Sequence, residues 1–375
     1  MALFDEAPAR PRRRSRSMVA GIWAATVALV ALFVLTILPT SFVIQQPGPV
    51  FNTLGTATGA DGEELPLISV EGAETFAAEG SLDLLTVQVR GNRESTPSWL
   101  DLAAAWLDTS RAVVPLDQVF PVGQTQEERK EQNSALMVDS QHEATAAALL
   151  ELGYDVDARI VITGFTEDSP SAGVLEDGDI VRAADGTPVD FVEDLRSIIN
   201  AGGGTPVELT VERDGALHDV TVTPVAAETD GATTWLIGVT TMRTFDFPID
   251  VTIQLDNVGG PSAGMMFALG IIDLLTPGDL TGGHAFAGTG TIDAHGEVGP
   301  IGGIRQKMHG ALSAGADYML APLDNCGEVV GNVPGGLRVF AVETLDEALE
   351  VLETVREDGD LDALPTCTTA AAPTP

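Results

Sequence analysis

Residues 18–38, MVAGIWAATVALVALFVLTIL, run without a charged side chain. At 1.5 Å per residue such a run makes a helix of about 30 Å, the depth of a hydrocarbon core. It exceeds the apolar region of a signal peptide, and Pro39-Thr40-Ser41 is a poor cleavage site, so it reads as an uncleaved anchor. Residues 41–64, rich in Gly, Pro and Thr, read as a stalk or loop. Leu84 to Val89 reads as a strand and Trp99 to Leu107 as a helix. The polar run Gln124 to Gln132 reads as an exposed loop, and Ser140 to Leu152 as a helix with alanines and leucines at helical spacing. A β-rich stretch follows. Arg159 to Ile162 is a short apolar strand, Asp185-Gly186 a turn, and Val192 to Ile199 an amphipathic helix. Val207 to Glu212 and Val220 to Thr223 alternate about Asp214-Gly215, which predicts a hairpin.

Asp250 to Asp256 also alternates, with Val251, Ile253 and Leu255 on one side, which predicts a half-buried strand. Ser262 to Leu275 is apolar almost all round and reads as a buried helix that Thr276-Pro277-Gly278 ends. A strand and turn near Ala285 to Asp293 precede a helix from about Gly303. Strands at Tyr318–Ala321 and Val339–Val342 lead to a last helix, with Thr344 and Glu347 at capping-box spacing. The tail beyond Arg356 is acidic, then rich in Ala, Thr and Pro, and is predicted disordered.

Charge orients these elements. Arg10, Arg12, Arg13, Arg14 and Arg16 face only Asp5 and Glu6 ahead of the apolar run, which puts the N-terminus in the cytoplasm and the rest outside. Beyond residue 17, 14 basic residues stand against 53 acidic ones, and the whole chain carries −36, which argues against a nucleic-acid partner. Cys326 and Cys367 allow either one disulfide, favoured outside the cytoplasm, or two free thiols. No zinc-site spacing such as H-E-x-x-H occurs, and no cofactor is expected.

The cations also point to chemistry. Of 19 basic residues only Lys130 and Lys307 are lysines. Arginine holds its proton at ordinary pH, whereas a buried lysine can lose it and act as a base. Ile304, Lys307, Met308, Ala311 and Leu312 follow the spacing of a core-facing stripe, with Arg305, Gln306 and His309 off it. A lysine within such a stripe is costly unless paired or functional. Ser262 follows Gly259-Gly260-Pro261 at the start of the apolar helix. There, free backbone amides point outward and Gly260 and Pro261 make the turn, a candidate oxyanion hole. Glycines 259, 260 and 264 leave room for a peptide backbone. A serine hydroxyl needs a neighbouring base to attack; Lys307 is the candidate.

Two family resemblances follow from these residues. Ser169-Pro170, Gly173, Gly178-Asp179-Ile180 and Asp185-Gly186 resemble a bacterial PDZ domain. Such domains add a peptide to a sheet edge beside a helix, here expected between Arg159–Ile162 and Val192–Ile199. Pro261-Ser262-Ala263-Gly264, Ala287 to Gly290, and Gly296 to Lys307 resemble the proteolytic domain of the Lon family of Ser-Lys peptidases. The resemblance implies Ser262 as nucleophile, Lys307 as base and Thr289 as the residue that orients the lysine. It differs at Gly259 and Thr291, where the family carries acidic residues. The strand at Leu84–Val89 resembles the start of the Lon fold, which implies a PDZ module inserted within it. Lon domains assemble as rings, so the resemblance implies a homo-oligomer.

The expected architecture is α+β. It comprises a basic tail (1–17), a transmembrane anchor (18–40), an extracytoplasmic segment that includes the first part of the Lon fold (41–140), a PDZ domain (141–228), a Lon-type proteolytic domain (229–352) and a disordered tail (353–375). The expected function is an anchored serine endopeptidase that binds protein substrates through its PDZ groove. No G-x-x-x-x-G-K-[ST] loop is present, so no ATP use is expected. Two other readings stand beside it. Gly260 to Gly264 also fits G-x-S-x-G, the nucleophile elbow of a Ser-His-Asp hydrolase, with His284, His295 and His309 downstream. A PDZ adaptor with a degenerate peptidase domain is the non-enzymatic alternative.

Overall fold

The computed structural model describes residues 16–58, 62–229, 232–255 and 258–368. Arg10 to Arg14, Asp256, Asn257 and the last seven residues lie outside the described set. The chain divides into two units, residues 1–49 with 86–126, and residues 50–85 with 127–375.

In the first unit, helix α1 (Arg16–Ile37) is long and apolar enough to cross a membrane. It stops at Ile37, short of the expected residue 40, because Pro39 cannot continue it. The expected stalk is instead a strand, Phe42–Asn52, whose residues Phe42–Gln45 pair antiparallel with Ala112–Pro115. Its prolines and glycine conceal the strand pattern, although Val43 and Ile44 are fully buried. Thr40 ties the end of α1 to the start of helix α2 (Trp99–Trp106). Its amide donates to Thr96 Oγ1 (3.1 Å) and its hydroxyl to Pro97 O (2.9 Å). Ser98 caps α2 with a reciprocal capping box to Asp101. Ile44, Leu102 and Ala105 form the small core of this unit.

In the second unit, strand Ala285–Gly288 runs parallel to Ser81–Leu84 on one side and to Tyr318–Leu320 on the other. Tyr318–Pro322 is parallel in turn to Arg338–Val342. Side chains alternate across this sheet. Leu82, Leu84, Phe286, Leu320 and Phe340 join one cluster with helices α3 (Gln126–Glu151), α5 (Gly264–Leu275) and α7 (Leu345–Arg356). Leu85, Ala287, Met319 and Val339 join a second cluster with helix α6 (Ile304–Ala314). Helices α5 and α6 therefore contact opposite faces of the sheet.

The PDZ-type sheet is a separate body of core, centred on Ile160, Ile162, Val181, Leu195, Leu209 and Val211. Its strand order is Ala216–Val222, Val207–Arg213, Ile180–Ala184, Asp157–Phe165, Val239–Asp246. Helix α4 (Val192–Ala201) packs Leu195 and Ile199 into it.

Four expectations need correction. The expected loop 124–132 is largely the first turns of α3, because Glu, Arg, Lys and Gln are good helix formers even without an apolar stripe. The boundary at 141 cuts α3, whose Met137, Ala144 and Ala147 pack with Met265 and Phe267 in the core beside the parallel strands. The boundary at 228 misses Val239–Asp246, the last PDZ strand. The tail from 353 is ordered through residue 368: α7 continues to Arg356, Leu364 is buried, Ala341 N donates to Pro365 O (3.0 Å), and Cys367 is disulfide-bonded to Cys326.

Candidate active site

Three hydroxyl and amine groups converge where strand Ala285–Gly288 ends. Thr289 follows that strand directly; Ser262 precedes α5, and Lys307 lies in the first turn of α6. Lys307 Nζ is 2.9 Å from Ser262 Oγ and 2.8 Å from Thr289 Oγ1. Lys307 is 2% exposed and Thr289 fully buried. Burial alone holds the lysine amine down to about 7, from an ordinary value of 10.5.

Hydrogen-bond direction assigns the amine's orientation. The Thr289 hydroxyl donates to the Ser262 carbonyl (2.9 Å), so towards Lys307 it can only accept. An N–H of Lys307 therefore points at Thr289, which leaves the lone pair of a neutral amine for the serine hydroxyl. Thr289→Val, nearly isosteric, removes both bonds. It is expected to lower kcat by roughly 10–100-fold with little change in KM, the loss of one to two hydrogen bonds. Steady-state kinetics on a peptide substrate measures this.

The turn that presents Ser262 is held from a distant part of the chain. Gly260 has φ 88°, a conformation that favours glycine. Its amide donates to Asn133 O (3.0 Å), and the Ser140 hydroxyl donates to Pro261 O (3.0 Å). The Gly290 amide donates to the Ser262 carbonyl (3.0 Å). Asn133 and Ser140, both on α3, are positioning residues that sequence reasoning missed; no local pattern signals a contact across 121 positions. Asn325 is a third. It is 5% exposed, and its side-chain amide brackets both the N–H and the carbonyl of Ile301, fixing the approach to α6.

Several expected roles change. Gly260 and Pro261 form the turn but supply no oxyanion donor, since the first amide is engaged by Asn133 and proline has none. The amides of Ser262 and Ala263 carry no hydrogen bond among the described residues. Helix α5 begins at Gly264, two residues later than expected. The room at Gly264 serves the protein itself: a Cβ there would meet Ile292 and Ser140 at 2.9 Å. On α6, Leu312 is exposed while Gln306 is buried, because the core covers a wider arc than the expected stripe. Among the described residues no histidine bonds Ser262. His295 instead lies tilted against Phe191, ring centroids 3.9 Å apart, and His284 meets Tyr318 edge-on at 5.7 Å.

The groove expected between Arg159–Ile162 and Val192–Ile199 has no strand edge available to it. Strand Asp157–Phe165 is enclosed between Ile180–Ala184 and Val239–Asp246, so it has no free edge. The outermost strands are Ala216–Val222 and Val239–Asp246, and the second of these lies beside α4. Arg243 on that strand bonds Glu143 of α3 (2.9 Å) and pairs with Glu193 of α4 (3.2 Å). Glu143 also accepts from the amide of Ala294 (2.9 Å). Burial pushes the Glu143 carboxyl up, and Arg243 partly offsets this.

Comparison with known proteins places these parts. Residues 241–354 match the Lon protease (S16) C-terminal proteolytic domain, and residues 129–223 match the PDZ domain. The chain thus carries a Lon-type proteolytic domain and a PDZ domain. It is 41% identical over 110 residues to Lon protease 2 of Herpetosiphon aurantiacus, which covers 28% of this chain and 13% of that protein. It is 34% identical over 119 residues to the archaeal Lon protease of Archaeoglobus fulgidus, covering 30% and 18%. The chain therefore spans less than a fifth of the length of these relatives. The PDZ domain of an SdrC-like protein from Listeria innocua aligns over 22% of this chain and 92% of that one, with 20% identity and a TM-score of 0.20.

Proposed function

We propose that this chain is a serine endopeptidase that works without ATP, with Ser262 as nucleophile and Lys307 as general base. The observation that carries the reading is a buried amine of lowered proton affinity 2.9 Å from a serine hydroxyl. Neutral Lys307 takes the hydroxyl proton as Ser262 Oγ attacks a peptide carbonyl, and returns it to the leaving amine. Water then hydrolyses the acyl-enzyme with Lys307 again as base. The amides of Ser262 and Ala263 are the candidate oxyanion donors.

In this reading α1 anchors the chain with its N-terminus in the cytoplasm and the proteolytic domain outside. The support is the apolar length of α1 and the arginines ahead of it. The disulfide Cys326–Cys367 suits an oxidising compartment. A substrate peptide adds to the open edge of Val239–Asp246 beside α4.

The full chain, purified in detergent and given an unfolded protein without nucleotide, is expected to cleave it, while Ser262→Ala does not. Equal cleavage by Ser262→Ala would refute the nucleophile, and no cleavage by either would favour the adaptor.

A further inference from the structure

Helix α2 turns an uncharged face to solvent on a chain of net charge −36. Leu102 and Ala105 face inward, and Asp101, beside them, is paired with Arg90 at 3.1 Å. The outward side consists of Leu100, Ala103, Ala104, Trp106 and Leu107. Trp106 is 64% exposed and Leu107 90%. An outward helix face is ordinarily the charged one. An apolar face with a tryptophan at its end matches the chemistry of a bilayer interface, where an indole ring has one side wet and one side apolar.

The position of α2 agrees. It touches α1, and the bonds of Thr40 to Thr96 and Pro97 fix its N-terminal end three residues beyond the last residue of α1. Eight residues of helix reach only about 12 Å, so all of α2 stays near the depth at which α1 leaves the hydrocarbon.

We infer that the outward face of α2 seats in the headgroup layer of the bilayer that α1 crosses. This rests on α1 being a membrane anchor. The face carries no lysine or arginine, so the partner is the apolar and interfacial part of the lipid, not an anionic headgroup. Contact is therefore expected on zwitterionic vesicles and to be insensitive to salt.

The test uses the full chain with its disulfide intact, reconstituted in phosphatidylcholine vesicles. Ala103→Cys is labelled with an environment-sensitive fluorophore, and Gln88→Cys, an exposed position held to Gln46 six residues beyond Thr40, is the control. The expected result is blue-shifted emission at position 103, quenched by brominated lipid and protected from aqueous iodide, with neither effect at 88. Loss of the protein from the vesicles in alkaline carbonate would refute the anchor itself. Carbonate-resistant protein with position 103 open to iodide would overturn the inference alone. Protection that vanishes when protein is diluted into excess lipid would mean a second copy covers the face, and would also overturn it. Unchanged protection in high salt supports it, whereas loss in high salt would point to charge and refute the apolar contact.

Discussion

Lys307→Met is expected to abolish peptide cleavage and, at the same time, to make the protein more stable. The catalytic loss follows from removing the only base within reach of Ser262 Oγ among the described residues. Dyads and triads act as units, and loss of one member costs on the order of 10⁴-fold or more in kcat. The gain in stability follows from burial. A 2% exposed ammonium group is kept only by a penalty, seen as the fall of its proton affinity to about 7. Methionine fills a similar volume without that penalty, and replacing buried ionic groups with apolar ones stabilises by roughly 1–4 kcal/mol. Thermal unfolding and peptide turnover measured on the same sample decide the matter. A variant that is both inactive and less stable would mean that Lys307 is a structural cation. Lys307→Arg serves as a second probe: it keeps a cation yet cannot give up its proton, so it too is expected to be inactive.

Activity is expected to rise with pH through a midpoint near 7. Only the neutral amine can accept the serine proton, so kcat/KM follows the deprotonated fraction of Lys307. About a tenth of the maximum remains one pH unit below the midpoint. Stability moves in the same direction. The unfolded chain binds this proton up to its ordinary value of 10.5, whereas the folded chain releases it at about 7. Between those values the unfolded state holds more protons, so stability rises with pH across the window. Below pH 7 both states are protonated and the penalty is at its full, constant value. In Lys307→Met this contribution to the pH slope is absent. A pH–rate profile, with urea unfolding at pH 7 and 9 for both proteins, tests this; an activity midpoint near 10 would refute the lowered proton affinity.

The centre of the candidate site is legible in the sequence, and its supports are hidden. Ser262, Thr289 and Lys307 stand in dense local motifs, and they meet at the end of one parallel strand. Asn133, Ser140 and Glu143 sit on a helix whose N-terminal half is polar, and their partners lie more than a hundred positions away. The PDZ edge was misplaced for a related reason. Asp157–Phe165 alternates, whereas Val239–Asp246 has its apolar residues at 239, 242 and 245, so the strand that covers the outer side of Asp157–Phe165 does not read as one. The strand at Phe42–Asn52 was obscured by Pro47, Gly48 and Pro49, residues that favour loops by composition. The ordered C-terminal stretch depends on a disulfide whose geometry the sequence does not contain.

The first and last strands of the PDZ module lie side by side, with Asp157 opposite Asp246 and Ala158 opposite Phe245. Arg159 clasps both ends, 2.6 Å from Asp157 and 3.1 Å from Asp246. To the surrounding chain the whole module is thus equivalent to a tight hairpin loop. A synthetic gene in which residues 158–245 are exchanged for a two-residue turn would leave the flanking segments at nearly the separation they have now. The host sheet can therefore close around its guest without accommodating the guest's size.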